Sequence, residues 1–284
     1  MFPEGQVHSR RQIATQPERG GEAVLDDVLR LARELAGEVE KKKLRLHGVG
    51  LGVCELVDRT GEVVSSNCVA WRGVPLRERL ASVAPTWIEA DVRAAALAEA
   101  LFGAGRGRDV FLYLTIGTGI ASCLVIDGQP FTGARGATGT VASSPWPRPP
   151  EFNLPATSLE DVASGPALVR RFQQLHGDAR SGHDVLAAAE KGHAVALGVV
   201  RSAGEAVGAT VALLVNVLDP ECVIIGGGLG LSDGPYWESL VASSRKHIWS
   251  EIHRGLPILK ATTGTDAGII GAAAAAWKNS GIEN

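Results

Sequence analysis

The chain has 284 residues, of which 45% are hydrophobic and 21% charged, so it can bury the core of one large domain or two modest ones. The net charge of −3 does not provide the excess of positive charge that is typical of nucleic-acid-binding proteins, so we expect no nucleic-acid partner. The sequence has neither a run of roughly 18 apolar residues nor an apolar N-terminal core, so we expect a cytoplasmic protein without a membrane partner.

The first third of the chain predicts a helix, a strand and a strand-to-helix unit. Residues 22–43 carry apolar side chains at helical spacing, with acidic residues early and lysines late, which predicts an amphipathic helix. Residues 49–57 (VGLGVCELV) predict a buried strand. Residues 86–105 predict a short strand that runs into an alanine-rich helix, with Asp91 at its start. An Asp at such a position is typical of an N-cap, which accepts hydrogen bonds from first-turn amides.

Two β-branched apolar runs, VFLYLTI and IASCLVI, flank a turn of Gly117, Thr118 and Gly119 and predict a β-hairpin. A second turn follows at Asp127 and Gly128. Glycines let a ligand approach the backbone closely, and Thr118 adds a hydroxyl group, so the first turn suits a phosphate. An ordinary hairpin, whose glycines serve only positive φ, is the alternative.

The last third predicts helices at residues 184–192 and 195–218, and then a buried strand at 221–230 (ECVIIGGGLG). This strand opens into Gly226, Gly227 and Gly228. Such a turn can present backbone amides to a nucleotide, although a glycine triplet alone is a weak signal. Alternating strands and helices with glycine-rich strand ends indicate an α/β fold.

The cysteines lie at scattered positions without a CxxC pair. Most of them fall in apolar runs, so we expect buried free thiols at Cys54, Cys68, Cys123 and Cys222.

The hairpin region resembles the phosphate-binding segment of the ROK family of sugar kinases and sugar-responsive repressors. In that family a strand ending in T-[IV]-G-T-G-[IV] precedes an I-D-G turn and then G-A-x-G-x-x-G, and residues 115–120, 126–128 and 133–139 match these motifs. The resemblance implies an actin-like ATPase (ribonuclease H-like) fold of two domains with an interdomain cleft. It assigns residues 1–106 to a small α/β domain without its first strand pair, 107–264 to a large α/β domain, and 265–284 to a C-terminal helix that returns to the small domain.

The resemblance also implies a role for individual residues. Asp91 matches the family's catalytic base, which binds the sugar as well. Asn67, within SSNCVAW, and Glu160, within LEDVASGPAL, match sugar-binding residues. Asn67 is equally typical of a turn asparagine that satisfies its own backbone. The implied nucleotide-binding residues are Gly117, Thr118, Gly119, Gly226, Gly227 and Gly228, and the implied cofactors and partners are ATP, Mg²⁺, a sugar and a second copy of the chain as a homodimer.

Several positions depart from the family pattern around the sugar. Ala90, Thr140 and Ser143 replace an Asn, a Glu and a His that contact the sugar in the family. In a loop beside the sugar, Cys-Glu replaces Pro-Gly at residues 54 and 55. Arg93 follows Asp91, where it would either bind an anionic substrate group or hold the Asp91 carboxylate ionised with a depressed pKa.

The family's zinc motif, C-x-C-G-x-x-x-C, is replaced by SSPWPRPPEFNLPATS at residues 143–158. This segment contains no thiolate or imidazole, so we expect no zinc and assign no metal-ligating residue. Its prolines and Trp146 are expected to order the loop instead.

The phosphate hairpin D-[IL]-G-G-T-K, with which family members begin, has no match in the sequence. Either the natural product starts late, or the start codon is misassigned and about 20–25 further residues precede it, by the span of two strands and a turn. We therefore expect a sugar kinase-like protein with Asp91 as base but little hexokinase-type turnover by the chain as given. The alternatives are an inactive sugar- or nucleotide-binding ROK protein and a ROK regulator without its DNA-binding domain.

Overall fold

A computed structural model of the chain describes residues 5–147, 158–175 and 178–280. The chain divides into two compact units, each with its own hydrophobic core. The first unit is Met1–Arg106, Gln129–Thr138 and Asp266–Asn284, and the second is Gly107–Gly128 and Gly139–Thr265.

Both units mix strands and helices, as the α/β prediction requires. The strands are β1 (Val49–Val53), β2 (Thr86–Ala90), β3 (Val110–Ile116), β4 (Ile120–Ile126), β5 (Gln129–Pro130), β6 (Cys222–Gly226) and β7 (Ile258–Lys260). The α-helices are α1 (Gly21–Lys41), α2 (Leu76–Ala81), α3 (Asp91–Phe102), α4 (Leu159–Ala163), α5 (Gly165–Leu175), α6 (Gly182–Glu190), α7 (Ala194–Leu218), α8 (Pro235–His247), α9 (Glu251–Arg254) and α10 (Ala267–Asn279). Short 3₁₀ turns lie at Pro17–Arg19, Val141–Ser143 and Gly264–Asp266.

In the first unit, β1 and β2 pair in parallel, with Val53 opposite Ala90. The residues that follow the two strands, Cys54 and Asp91, therefore lie side by side at the carboxyl edge, the edge where open α/β sheets bind ligands. Apolar side chains of α1, α2 and both strands form the core of this unit. Helix α10 packs closely on α3, because Gly271 has no Cβ and one built there would collide with the Ala94 backbone.

The strand predicted at residues 49–57 is shorter than expected, because β1 ends at Val53. Beyond it the buried Glu55 side chain binds the backbone of a neighbouring loop, and Val57 forms only an isolated antiparallel bridge with Val63. The first helix matches its prediction to within two residues at each end. Asp266 holds the N-cap position of α10, but its side chain makes no capping hydrogen bond there.

In the second unit, four strands lie in the order β4–β3–β6–β7. The predicted hairpin is confirmed, because β3 and β4 pair antiparallel from Val110 opposite Ile126 to Ile116 opposite Ile120. Strands β3 and β6 are parallel, and so are β6 and β7. The parallel pairing of β3 with β6 places the two predicted glycine turns at one carboxyl edge.

Helix α7 is the central core helix of the second unit. It is long and apolar enough to cross a membrane by length and composition, but 61% of its most apolar window is buried. Gly204 and Gly208 lie one turn apart on α7, and a Cβ at either would collide with the α8 backbone. The two glycines therefore let α7 and α8 pack at close range, which explains the small-residue pattern of the helix.

Candidate active site

Asp91 is the first residue of α3, and Ala90 holds the N-cap position before it. The Asp91 Oδ1 atom accepts a hydrogen bond from the Val92 backbone amide at 2.6 Å. Asp91 is exposed to solvent at the carboxyl edge of β1 and β2, but neighbouring groups partly desolvate its carboxyl and raise the pKa above its usual value. The Val92 amide lowers the pKa of Asp91, and the charge on Glu55 raises it. A raised pKa makes the carboxylate a stronger base than an Asp of ordinary pKa.

Glu55 fixes the loop that carries Asn67. Its buried carboxylate accepts hydrogen bonds from the Ser65 hydroxyl and from three backbone amides, those of Asn67 at 2.8 Å, Cys68 at 2.6 Å and Val69 at 3.1 Å. Burial alone would raise the pKa of Glu55, but the hydrogen bonds outweigh it and hold the pKa below its usual value. The sequence analysis assigned no role to Glu55. The replacement of the family's Pro-Gly by Cys-Glu was the one feature of the sequence that could have drawn attention to it.

Two of the four cysteines are not buried, contrary to the sequence prediction. Cys123 and Cys222 lie in the core, whereas Cys54 and Cys68 are exposed. Their two Sγ atoms and a Glu55 oxygen lie within 4.8 Å of one another. The pKa of the Cys54 thiol is raised to about 12, mainly because neighbouring groups desolvate the sulfur. A hydrogen bond with Cys68 and the negative charges of Asp91 and Glu55 raise this pKa further. We call Cys54, Glu55, Asn67, Cys68 and Asp91 the strand-end cluster.

Arg93 has neither of the roles that the sequence left open. Its side chain is only 3% exposed, and its Nε lies 2.6 Å from a Glu89 oxygen. The two terminal nitrogens donate to the backbone carbonyls of Gly136, at 3.1 Å, and Val57, at 2.6 Å. Arg93 is thus a buried structural clamp of the first unit, and the expected depression of the Asp91 pKa is wrong because that pKa is raised.

The second unit carries a cluster of glycine turns at the carboxyl edge of β3 and β6, where Thr115 lies opposite Gly226. The Gly117 amide donates to the Gly119 carbonyl at 2.9 Å, and the Gly165 amide donates to the Gly117 carbonyl at 2.8 Å. Gly227 has a φ of +81°, and a Cβ there would collide with the Ile116 backbone. We call these turns, formed by Gly117, Thr118, Gly119, Gly165, Gly182, Gly226, Gly227 and Gly228, the glycine cluster.

A cavity of about 750 Å³ opens beside the glycine cluster. The first residues of α5 and α6 line it, so two helix N-termini contribute partial positive charge. Its lining includes Gly117, Thr118, Gly165, Arg170, Arg180, Gly182, His183 and Gly228. Exposed backbone, helix N-termini and arginines together form a setting that favours phosphate groups.

Glu160, the second residue of α4, contacts the glycine cluster. Its Oε2 atom accepts a hydrogen bond from the Ile120 amide at 2.8 Å, and a Cβ at Gly119 would lie 2.9 Å from the same oxygen. Helix α4 is set by a capping box in which Ser158 and Asp161 bond to each other's backbone amides. The structure thus brings Glu160 together with the Gly117 turn in the second unit, and Asn67 together with Glu55 in the first.

The replaced family positions Thr140 and Ser143 lie on an exposed turn of the second unit. The Ser143 hydroxyl donates to the Thr140 carbonyl at 3.1 Å. Trp146 packs partly buried against the core. Residues 148–157, on which the prediction of a proline-ordered loop without zinc mainly depends, fall outside the described residues, so that prediction stays open.

The chain has the actin-like ATPase fold, and it superposes on solved sugar kinases that share this fold. The chain is a member of the ROK family, whose family model matches residues 2–279. The family and the fold predicted from the sequence are confirmed.

Three relatives illustrate the similarity. A glucokinase from Streptomyces griseus, solved in complex with glucose and AMPPNP, superposes with a TM-score of 0.82 at 27% identity, covering 98% of this chain and 94% of that one. A glucokinase from Halalkalibacterium halodurans is 29% identical over 94% of this chain and 87% of its own length. The bifunctional enzyme NanE/NanK of Brucella melitensis is 33% identical over 94% of this chain, but the match spans only 49% of that longer enzyme.

Proposed function

We propose that the chain is a cytoplasmic, ATP-dependent sugar kinase that phosphorylates a hydroxyl group of a hexose or hexose derivative. The single observation that carries the proposal is Asp91, a solvent-accessible carboxylate at the carboxyl edge of a parallel strand pair, whose pKa is raised because neighbouring groups desolvate it. The relatives named as glucokinases and as NanE/NanK support the same class of substrate.

In the proposed reaction Asp91 is the general base. Its carboxylate takes the proton of the sugar hydroxyl as that oxygen bonds to the γ-phosphorus, and the bond to the β,γ-bridging oxygen breaks to release ADP. The hydrogen bond from the Val92 amide fixes one carboxylate oxygen and leaves the other to receive the proton. Phosphoryl transfer depends mostly on positioning and electrostatics, so a fixed base is the main contribution of the first unit.

The glycine cluster would bind the phosphates of ATP. Gly117 lines the cavity without a Cβ, so a phosphate can approach this turn closely, and α5 begins at Gly165 on the same lining. Arg170 and Arg180 line the same cavity and would pair with phosphate oxygens. Mg²⁺ would enter with the nucleotide, because protein sites hold this cation largely through phosphate oxygens and water, and it would neutralise charge on the transferred group.

On the sugar side, Asn67 of the first unit and Glu160 of the second are proposed sugar ligands in addition to Asp91. Glu55 holds the backbone of Asn67 in place, and the Ile120 amide holds one oxygen of Glu160. Ala90, Thr140 and Ser143 supply no amide, carboxylate or imidazole to the sugar, and losing one preorganised group commonly costs about 10²–10³ in rate. We therefore expect turnover on glucose below about one per second, the low end of ordinary enzyme rates.

A coupled ADP-release assay over hexoses, N-acetylhexosamines and sugar acids tests the proposal. It predicts sugar-dependent ADP release with at least one member of the panel. The same three replaced residues favour a second candidate, a sugar- or nucleotide-binding protein without transferase activity. Titration calorimetry with the sugars and AMPPNP separates the two, because binding without any ADP release identifies the second. Light scattering checks the proposed homodimer.

A further inference from the structure

We propose that Cys54 and Cys68 form a two-thiolate site for a thiophilic divalent cation such as Zn²⁺, whose binding displaces the thiol protons to solvent. An ion bound there weakens sugar binding beside Asp91. The metal site itself is independent of the proposed function, whereas its effect on the sugar rests on that function.

The distances fit a single ion between the two sulfurs. Zinc lies about 2.3 Å from thiolate sulfur in proteins, so two thiolates on a tetrahedral ion are about 3.8 Å apart. The Cys54 and Cys68 sulfurs lie within 4.8 Å of each other, close enough to bind one ion with only small side-chain rotations. Both residues are exposed, so a hydrated ion can reach them from solvent.

Hydrogen bonds fix both cysteines before any ion binds. Cys54 directly follows β1, and Cys68 lies on the loop whose amides bond to the buried Glu55 carboxylate. Because Glu55 follows Cys54 in the chain, one side chain ties the two cysteine-bearing segments together. A preorganised pair of ligands binds a metal more tightly than two mobile ones, because less conformational entropy is lost.

The carboxylate of Glu55 contributes charge rather than a metal bond. A carboxylate has about four lone-pair sites, and four donors already use those of Glu55. Its negative charge nevertheless lies within 4.8 Å of the sulfurs and favours a cation there. With two protein ligands, water completes the coordination, so the site is of the open, exchangeable kind rather than a closed structural site.

Both cysteines stand where the ROK pattern has other residues. Cys54 takes the place of the Pro in the family's Pro-Gly, and Cys68 takes the place of the Leu in the family motif S-x-N-L-x-x-W, which residues 65–71 resemble. In sequence, both cysteines lie outside residues 143–158, the segment that replaces the family's zinc motif. Two independent departures that meet in space indicate a feature particular to this chain. Since Cys54 adjoins Asp91 across the strand register and Cys68 adjoins Asn67 in sequence, an ion with its water would occupy space that a sugar needs.

Cobalt and zinc binding by the whole chain, kept reduced with a phosphine, test the site directly. We expect one Co²⁺ per chain with a thiolate-to-cobalt charge-transfer band, and displacement of Co²⁺ by Zn²⁺. Cys54→Ser and Cys68→Ser should each abolish the band and weaken zinc binding at least tenfold, while Ser66→Ala, an exposed neighbour in the same loop, should bind like the wild type. A missing band, or zinc affinity unchanged in both serine variants, would overturn the site, and circular dichroism verifies that each variant is folded.

Sugar titrations with and without Zn²⁺ test the effect on sugar binding, using the panel sugar that binds most tightly. We expect Zn²⁺ to weaken sugar binding by the wild type at least tenfold, and we expect EDTA to restore it. The sugar affinity of the Cys54→Ser variant should be the same with and without Zn²⁺. Metal binding with unchanged sugar affinity would refute the inhibitory effect. If no sugar binds even without zinc, the proposed function fails instead, and the cobalt band still decides the metal site.

Discussion

Replacing Glu55 by Gln should destabilise the first unit by loosening the Asn67 loop. The carboxylate accepts four hydrogen bonds, whereas a Gln side chain offers one oxygen and turns an NH₂ group toward the remaining donors. Two lost bonds to a charged acceptor, at about 1.5–3 kcal/mol each, give about 3–6 kcal/mol. Because the loop is partly exposed and can relax, we expect the lower end of this range, a loss of about 3 kcal/mol in the free energy of unfolding.

Urea unfolding of the two proteins at several pH values measures this loss. The hydrogen bonds hold the pKa of Glu55 below the unfolded value of about 4.3, so its stabilisation is fully present above that pH and is lost as the pH falls through the lower folded pKa. The difference between wild type and Glu55→Gln should therefore be full at pH 7 and shrink below about pH 4.

The matched control is Glu62→Gln, on the exposed turn that follows. The Glu62 side chain makes a long ion pair of 3.8 Å with Arg77, and exposed pairs contribute about 0–1 kcal/mol. Surface substitutions usually change the free energy of unfolding by less than about 0.5 kcal/mol. If the free energies of unfolding of Glu55→Gln and Glu62→Gln differ by less than about 0.5 kcal/mol, the anchoring role of Glu55 is refuted.

Three further predictions concern the catalytic base, the glycine cluster and the buried clamp. Neighbouring groups desolvate Asp91 and raise its pKa, and a base must be ionised, so kcat/KM should fall on the acid side at a higher pH than about 3.9, the ordinary Asp value. A profile that is flat down to that pH would contradict this. Gly227→Ala should lower the free energy of unfolding by about 1–3 kcal/mol and abolish AMPPNP binding, because Gly227 has a positive φ and a Cβ there would collide with backbone. The control Gly198→Ala has open space on α7 and should raise the free energy of unfolding by about 0.5–1 kcal/mol. Thermal unfolding measures both changes. Arg93→Ala should destabilise by about 3–5 kcal/mol in urea, because it leaves Glu89 and two buried carbonyls without their partner, and a loss under 1 kcal/mol would contradict the clamp.

Local patterns in the sequence predicted the elements well. The hairpin of β3 and β4, the strand β6 with its glycines and the helix that Asp91 begins each follow from periodicity and turn residues within one short segment. The family motifs then placed these elements in a known fold. Such signals are local, so they give the identity of each element together with its approximate ends.

The contacts between loops were not predictable in the same way. The carboxylate of Glu55 accepts hydrogen bonds from the loop at residues 65–69, and Arg93 donates to the Gly136 carbonyl. The periodicity of apolar residues predicts helices and strands, but it does not predict which loops contact each other. For the same reason Cys54 and Cys68 gave no CxxC signal, although the fold brings their sulfurs together. Arg93 was placed near Asp91 by its position in sequence, whereas on a helix a residue two positions on points to a different face.

The measurement that tests the central claim most directly is sugar-dependent ADP release by the wild type and by Asp91→Asn, with sugar binding measured in parallel. The substitution keeps the shape of the side chain and removes the base. We expect it to lower turnover by about 10²–10⁴-fold, the usual contribution of a positioned base, while sugar affinity changes little. Equal turnover by the two proteins, or no sugar-dependent ADP release by the wild type with any member of the panel, would contradict the assignment of this chain as a sugar kinase with Asp91 as its base.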